Sequence, residues 1–152
     1  MYDETASFSH LVGDLQLDEI QHQTPPASEL NLRLSQGRSP DKGMQRHVSF
    51  HGVLAYDFKH AGDVTIVFDI AVVTMESVVA AHPEWEKSAA HFRWPVAVEK
   101  GGRLLDALHA SSADAFEIQS SCGLFGIILA ASMVIDEVAQ DGNARTVASW
   151  PQ

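Results

Sequence analysis

The sequence has little of what marks a disulfide-bonded, secreted or membrane-spanning protein. It has one cysteine, Cys122, in 152 residues, which excludes an internal disulfide and agrees with a reducing compartment. Its longest apolar run, Cys122 to Ile135, is too short to cross about 30 Å of hydrocarbon as a helix. The start, MYDETASF, lacks the basic and apolar regions of a secretory signal. We therefore expect a cytoplasmic protein without a membrane partner.

Positive charge is also scarce. Twenty Asp and Glu against ten Lys and Arg give a net charge of -10, which would repel nucleic acid phosphates and anionic lipids. The first 32 residues contain six acids and no Lys or Arg. The composition therefore excludes no enzyme class, but it favours a basic protein over nucleic acid as a partner.

Motifs for catalysis, nucleotide binding or metal binding are missing. The stretch Gly123 to Gly126 has neither the spacing nor the lysine of a phosphate loop. The eight histidines are scattered without the spacing of a zinc site. Cys122 has no adjacent Lys, Arg or helix start to lower its pKa, so a structural thiol is expected. We predict no cofactor and no metal.

The most informative feature is a predicted hairpin over residues 47–73, in which apolar residues alternate along two strands. The predicted apolar face consists of Val48, Phe50, Leu54, Tyr56 and Phe58 on the first strand and Val64, Ile66, Phe68, Ile70 and Val72 on the second. The opposite, mixed face carries His47, His51, Asp57 and Asp69. That mixed face is the candidate site for an alternative function as a small enzyme or ligand-binding protein.

Pairing the two apolar faces places His51 diagonal to Asp69, with about 7 to 8 Å between the backbones. A hydrogen bond from the imidazole to the carboxylate would orient His51 as a general base. In the alternative interpretation, both groups only satisfy hydrogen bonds on a half-buried face. His47 and His51 lie about 13 Å apart along a strand, so they cannot share a metal without a bulge.

The remaining pattern predicts the fold class. Leucine alternation predicts a strand over 30–34, and helices are expected at 75–81, from Pro83 to Trp94, and at 103–110. Strands at both ends with one central block of helices favour α+β. We predict a single domain, 1–152, with a largely antiparallel sheet and two or three short helices packed on one face. Residues 36–43 are predicted to form a flexible loop, and 140–152 a loosely held tail.

The acidic N-terminal third is either a solvated face or a docking surface for a basic protein. The predicted docking surface consists of the acids Asp14, Asp18 and Glu19, the apolar anchors Phe8 and Leu11, and the turn residue Phe125. On this hypothesis the chain is a non-catalytic protein-binding module. A homodimer formed through an exposed edge strand is a further alternative.

Four segments carry a resemblance to a known group of proteins: FHGVLAYDF, VTIVFDIAVV, RWPVAV and AFEIQSSCGLFGIILAASM. Together they resemble small bacterial proteins that act as immunity partners of polymorphic toxins, over about residues 46–135. The resemblance implies a cytoplasmic inhibitor that neutralises a toxin by binding it. The shared segments are structural in character, so the resemblance carries over no catalytic residue.

Overall fold

Strands make up most of the fold in the computed structural model, which describes residues 2–37, 43–59 and 64–152. The elements in chain order are β1 (Glu4–Ser7), α1 (Ser9–Val12), β2 (Leu15–Gln23), β3 (Glu29–Ser35), β4 (Gln45–Lys59), β5 (Ile66–Val73), α2 (Met75–Ala81), α3 (Glu84–Phe92), α4 (Leu104–Ala110), β6 (Asp114–Cys122), β7 (Phe125–Val138) and β8 (Ala144–Trp150).

Six of the strands close into a barrel. Their order is β5-β2-β3-β4-β7-β6, and β6 pairs back onto β5. β1 pairs with β5, β8 pairs with β7, and every pairing is antiparallel. The predicted α+β class with a largely antiparallel sheet is confirmed. The closure was not predicted, because alternation reveals which face of a strand is apolar but not which strand lies beside it.

The predicted hairpin over residues 47–73 is wrong. β4 pairs with β3 and β7, whereas β5 pairs with β1, β2 and β6, so the two strands lie on opposite sides of the barrel. Both edges of β4 are already paired. β7 pairs along almost the whole of β4, and β3 pairs with the first part of its other edge, so β5 has no place beside β4.

Bulges in β4 and β5 place residues that were predicted to share one apolar face on different sides of the sheet. Gly52 adopts a φ of 61°, and the β4 register shifts between Val53 and Ala55. Leu54 consequently packs toward the helices while Phe58 packs against the barrel core. Two further shifts over residues 66–69 bring Val67 into the core and leave Phe68 57% exposed. A bulge inserts a residue into one strand and so reverses the alternation beyond it.

Two apolar clusters stabilise the molecule. The barrel interior includes Phe50 and Phe116, whose rings meet edge to face with centroids 5.2 Å apart. The second cluster lies between the outer face of the sheet and helices α2, α3 and α4, where Trp85 is the largest buried side chain. These three helices therefore cover one face of the sheet; with α1, the described residues contain four helices, one more than the two or three predicted. No helix of the described residues has the length and apolar content to span a membrane.

The predictions for the chain ends and loops have different outcomes. The tail predicted to be loosely held, 140–152, instead contains β8, which pairs with β7 over seven residues. Its Trp150 Nε1 donates a hydrogen bond to Asp114 Oδ2 at 3.1 Å. Most of the predicted flexible loop, residues 38–42 of 36–43, lies outside the described residues.

Candidate functional site

The predicted His51–Asp69 pair is not brought together. The prediction required β4 and β5 to be paired, with His51 diagonal to Asp69. Instead β4 pairs with β7 and β5 pairs with β6, so the two residues are not cross-strand neighbours. His51 Nδ1 instead lies 3.2 Å from Glu29 Oε1 on β3. Asp69 is buried and accepts hydrogen bonds from Ser7 Oγ at 2.7 Å and from the Phe8 amide at 3.0 Å. Asp69 thus fixes the junction of β1 and α1, which is a structural role.

The residues of the predicted docking surface are dispersed. Phe8 is only 7% exposed and Leu11 packs against the barrel core, so Phe8 cannot anchor a partner in this conformation. Glu19 forms an ion pair with Arg33 at 3.0 Å on the outer face of β2 and β3. Asp14 lies in the turn before β2, where its amide donates to the Val67 carbonyl at 2.8 Å.

A different apolar strip lies beside Asp14. Val64 is 47% exposed and Phe68 57% exposed, and both project outward from the start of β5. Val64 and Ile66 line a shallow groove of about 370 Å³ with Asp14 and Gln16. We call the strip Val64, Ile66 and Phe68 with its acidic neighbour Asp14 the β5 surface. It combines the apolar anchor and the acidic rim that the docking prediction had placed on Phe8 and Leu11.

A second candidate site is a cleft of about 150 Å³ on the outside of the barrel. We call it the Tyr2 cleft. Five parts of the chain meet there: Tyr2 in the segment before β1, the ends of β4 and α2, the middle of β6 and the start of β7. The side chains that line it with polar or aromatic groups are Tyr2, Asp57, Lys59, His82, Glu117 and Phe125.

Sheet register explains why two carboxylates reach this cleft. Ile127 on β7 lies directly opposite Asp57 on β4 and directly opposite Glu117 on β6. Directly opposite residues project from the same side of a sheet, so the two acids flank the buried Ile127. With neighbouring strands 4.7 to 4.9 Å apart, the two acidic Cα atoms lie about 10 Å apart. Ile127 thus forms an apolar floor between them.

A chain of hydrogen bonds forms one wall of the cleft. His82 ends α2, where its Nε2 lies 2.6 Å from Tyr2 Oη and its Nδ1 lies 3.1 Å from Glu84 Oε1. Hydrogen bonding to its own backbone amide and then to His82 holds the pKa of Glu84 below its usual range. A tautomer of His82 that donates from Nδ1 to ionised Glu84 can accept the hydrogen of the Tyr2 hydroxyl at Nε2, so one imidazole satisfies both contacts. The His82 ring also stacks on Trp85, with centroids 4.6 Å apart.

The surroundings of the cleft disfavour negative charge. Burial raises the pKa of Tyr2, and the charges of Glu117, Asp57 and Glu84 raise it further. Burial also raises the pKa of the Glu117 carboxyl, although its hydrogen bond with Gln119 acts in the opposite direction. Both shifts indicate that negative charge is poorly solvated in the cleft. A positively charged group placed there would relieve this cost.

These side chains offer different chemistry from a metal site. In the described parts of the chain, no group of three or more His, Cys, Asp and Glu side chains is arranged to hold a metal ion. The Tyr2 cleft instead combines carboxylates with aromatic rings over an apolar floor. Such a combination suits an organic cation, which contacts carboxylates through its charge and rings through its hydrocarbon part.

Sequence reasoning identified only part of the cleft. Asp57 was placed on the mixed face, and Phe125, predicted as an exposed turn residue, is 49% exposed and lines the cleft. Tyr2 and His82 were missed because 80 positions separate them and only the fold brings them together. One local signal was available for Glu117, which is an acid between the apolar residues Phe116 and Ile118.

Comparisons with known proteins identify no relatives for this chain: no protein-family model matches it, and neither a curated protein nor a solved structure is significantly similar to it.

Proposed function

We propose that this chain is a non-catalytic protein-binding module whose β5 surface docks on a basic partner. The observation that carries the proposal is the exposure of two apolar side chains in a chain with a net charge of -10: Val64 lines a groove with Asp14, and Phe68 follows Val67, whose carbonyl accepts from the Asp14 amide. Buried aromatic side chains supply most of the affinity of protein interfaces, while charges at the rim accelerate association. The β5 surface provides an aromatic side chain, Phe68, on β5 and an acid, Asp14, in the turn before β2.

In the cell, we propose, the chain would act as a cytoplasmic inhibitor that binds a toxin, as the resemblance to immunity proteins implies. An immunity protein needs a surface that complements its toxin and no catalytic residues of its own. Copurification with the product of an adjacent gene tests this role directly. The expected result is a stoichiometric complex that weakens as the salt concentration rises, because screening reduces attraction between exposed charges.

The docking surface itself is tested with variants of the full chain. Phe68→Ser should reduce affinity for the copurified partner about thirtyfold or more, since truncation of an interface hot spot costs about 2 kcal/mol or more. Phe92→Ser is the matched control, because Phe92 is 79% exposed on α3, outside the β5 surface. Surface plasmon resonance at fixed ionic strength measures both.

The charged rim has its own pair of variants. Asp14→Asn should slow association, whereas Asp141→Asn, the same change in the turn between β7 and β8, should leave the rate unaltered. Equal loss of affinity in Phe68→Ser and Phe92→Ser, or no loss in either, would contradict the proposed surface. Circular dichroism of each variant establishes that it is folded before binding is compared.

A further inference from the structure

We propose that the Tyr2 cleft is a binding site for a small organic cation, an alkylammonium or guanidinium group. The carboxylates of Asp57 and Glu117 would contact the charge from two sides. The hydrocarbon part would lie on Ile127, which forms the floor between the two acids. This site is separate from the β5 surface, so the inference does not depend on the proposed protein-binding function.

Charge is the first argument for a cation. Two carboxylates and one ammonium, that of Lys59, line the cleft. The positive charge of Lys59 acts on Glu84, whose pKa it helps to lower. Burial raises the pKa of the Glu117 carboxyl, and the charges of Glu4 and Asp69 raise it further, whereas the Gln119 hydrogen bond and the charge of the N-terminal amino group lower it. Of the Asp, Glu and Lys side chains that line the cleft, two are carboxylates and one is an ammonium, so a bound cation would meet a net negative charge.

Shape is the second argument. The phenol of Tyr2 is held in place through its hydroxyl by His82, whose ring is itself fixed between Glu84 and Trp85. Phe125 supplies a second ring at the start of β7. Aromatic faces attract cations, and rings that are already immobilised lose little conformational entropy on binding. A volume of about 150 Å³ suits an ammonium or guanidinium head group with a short alkyl chain rather than a nucleotide or a peptide segment.

The experiment is a titration of the isotope-labelled full chain with n-butylammonium, followed by amide chemical shifts in NMR. The largest shifts are expected at Glu117, Gly126 and Ile127. n-Butanol, which has the same alkyl chain without charge, should bind at least tenfold more weakly. Glu117→Gln and Asp57→Asn should each weaken n-butylammonium binding about tenfold, because each removes one charged hydrogen-bond acceptor.

Asp141→Asn is the matched control, since it also removes one carboxylate. Asp141 lies in the turn after β7, at the opposite end of that strand from Phe125. This variant should leave the affinity unchanged. n-Butylguanidinium compares the two head groups, and lysine blocked at both its amino and carboxyl groups tests whether a protein side chain can be the source of the cation. Tighter binding of blocked lysine than of n-butylammonium would assign the site to a protein ligand, and the reverse to a free amine.

Three results would overturn the inference: butanol binding as tightly as butylammonium, Glu117→Gln and Asp141→Asn having equal effects, or shifts located away from the cleft. Each variant also needs a thermal denaturation curve. Glu117→Gln should fold with at least wild-type stability, because the neutral amide avoids the cost of a poorly solvated charge. A loss of binding in that variant therefore cannot be ascribed to unfolding.

Discussion

Gly126 is where the close packing of β4 against β7 can be tested most sharply. A Cβ atom added at this position would lie 2.2 Å from Phe58 Cδ1 and 2.9 Å from the Asp57 carbonyl oxygen. Carbon atoms in contact normally stay about 3.5 to 4.0 Å apart. Gly126→Ala must therefore displace the Phe58 ring and shift the β4 backbone. We expect it to destabilise the fold, although alanine is normally the better residue in regular structure.

The magnitude follows from two opposing effects. Overpacking a filled site costs typically about 1 to 3 kcal/mol. Replacing glycine restricts the unfolded chain and returns about 0.4 to 1 kcal/mol. Because the added Cβ meets backbone as well as the ring, we take the upper half of the overpacking range, and the net expectation is a loss of about 1 to 2.6 kcal/mol in the free energy of unfolding, which lowers the Tm of a chain of this length by about 2 to 10 °C. Urea denaturation followed by circular dichroism measures the free energy.

A double-mutant cycle with Phe58→Ala separates the ring clash from the backbone clash. Removing the ring should eliminate the larger part of the Gly126→Ala cost, and contact with the Asp57 carbonyl should account for the remainder. Gly142→Ala is the control, because no atom lies within 4 Å of its added Cβ. Any loss of stability in that variant comes only from placing alanine at a φ of +87°. If Gly126→Ala is as stable as the wild type, or shows no coupling to Phe58→Ala, the described β4–β7 packing is wrong.

Three further predictions concern single side chains. Glu117→Gln should be more stable than the wild type at pH 7. The pKa of Glu117 is raised in the folded state, so this carboxyl favours folding below its ordinary pKa of 4.5 and loses that contribution as the pH rises through the folded-state pKa. The stability advantage of the variant in thermal melts should therefore shrink toward pH 4, and a difference that stays constant with pH would refute the reasoning. Phe116→Ala should cost about 3 to 5 kcal/mol in urea denaturation, because Phe116 is fully buried against Phe50; a loss below about 1 kcal/mol would contradict that packing. Thr74→Ala should cost about 1 kcal/mol, because Thr74 Oγ1 accepts from the Ser77 amide at the start of α2, whereas Thr74→Ser should retain most of that contribution.

Local chemistry made several elements predictable. Alternating leucines predicted β3, and Pro83 separated α2 from α3 because proline lacks the amide hydrogen that a continuing helix needs. The N-terminal segment was less predictable: Leu11, Leu15 and Leu17 share one parity, as in a strand, yet residues 9–12 form α1 and β2 starts only at Leu15.

The errors arose where the structure depends on non-local contacts. Sequence neighbours usually pair, which favoured a β4–β5 hairpin, but only the complete set of strands shows that β3 and β7 occupy the two edges of β4. Gly52 was the one local sign of the bulge, since a glycine inside a strand often marks one. Without that bulge Leu54 appeared to share a face with Phe58, and His51 appeared to approach Asp69.

The turn between β6 and β7 connects the two separate candidate sites. A Cβ atom on Gly123 would lie 2.5 Å from the Val64 carbonyl oxygen, and the Leu124 amide donates to Thr65 Oγ1 at 2.9 Å. The turn is thereby tied to the start of the β5 surface, while its next residue, Phe125, lines the Tyr2 cleft. The apolar strip and the negative cleft therefore hold a defined relative position on the outside of the barrel. A basic partner that covered this turn would contact apolar anchors on one side and carboxylates on the other, so the cleft and the docking surface have compatible chemistry.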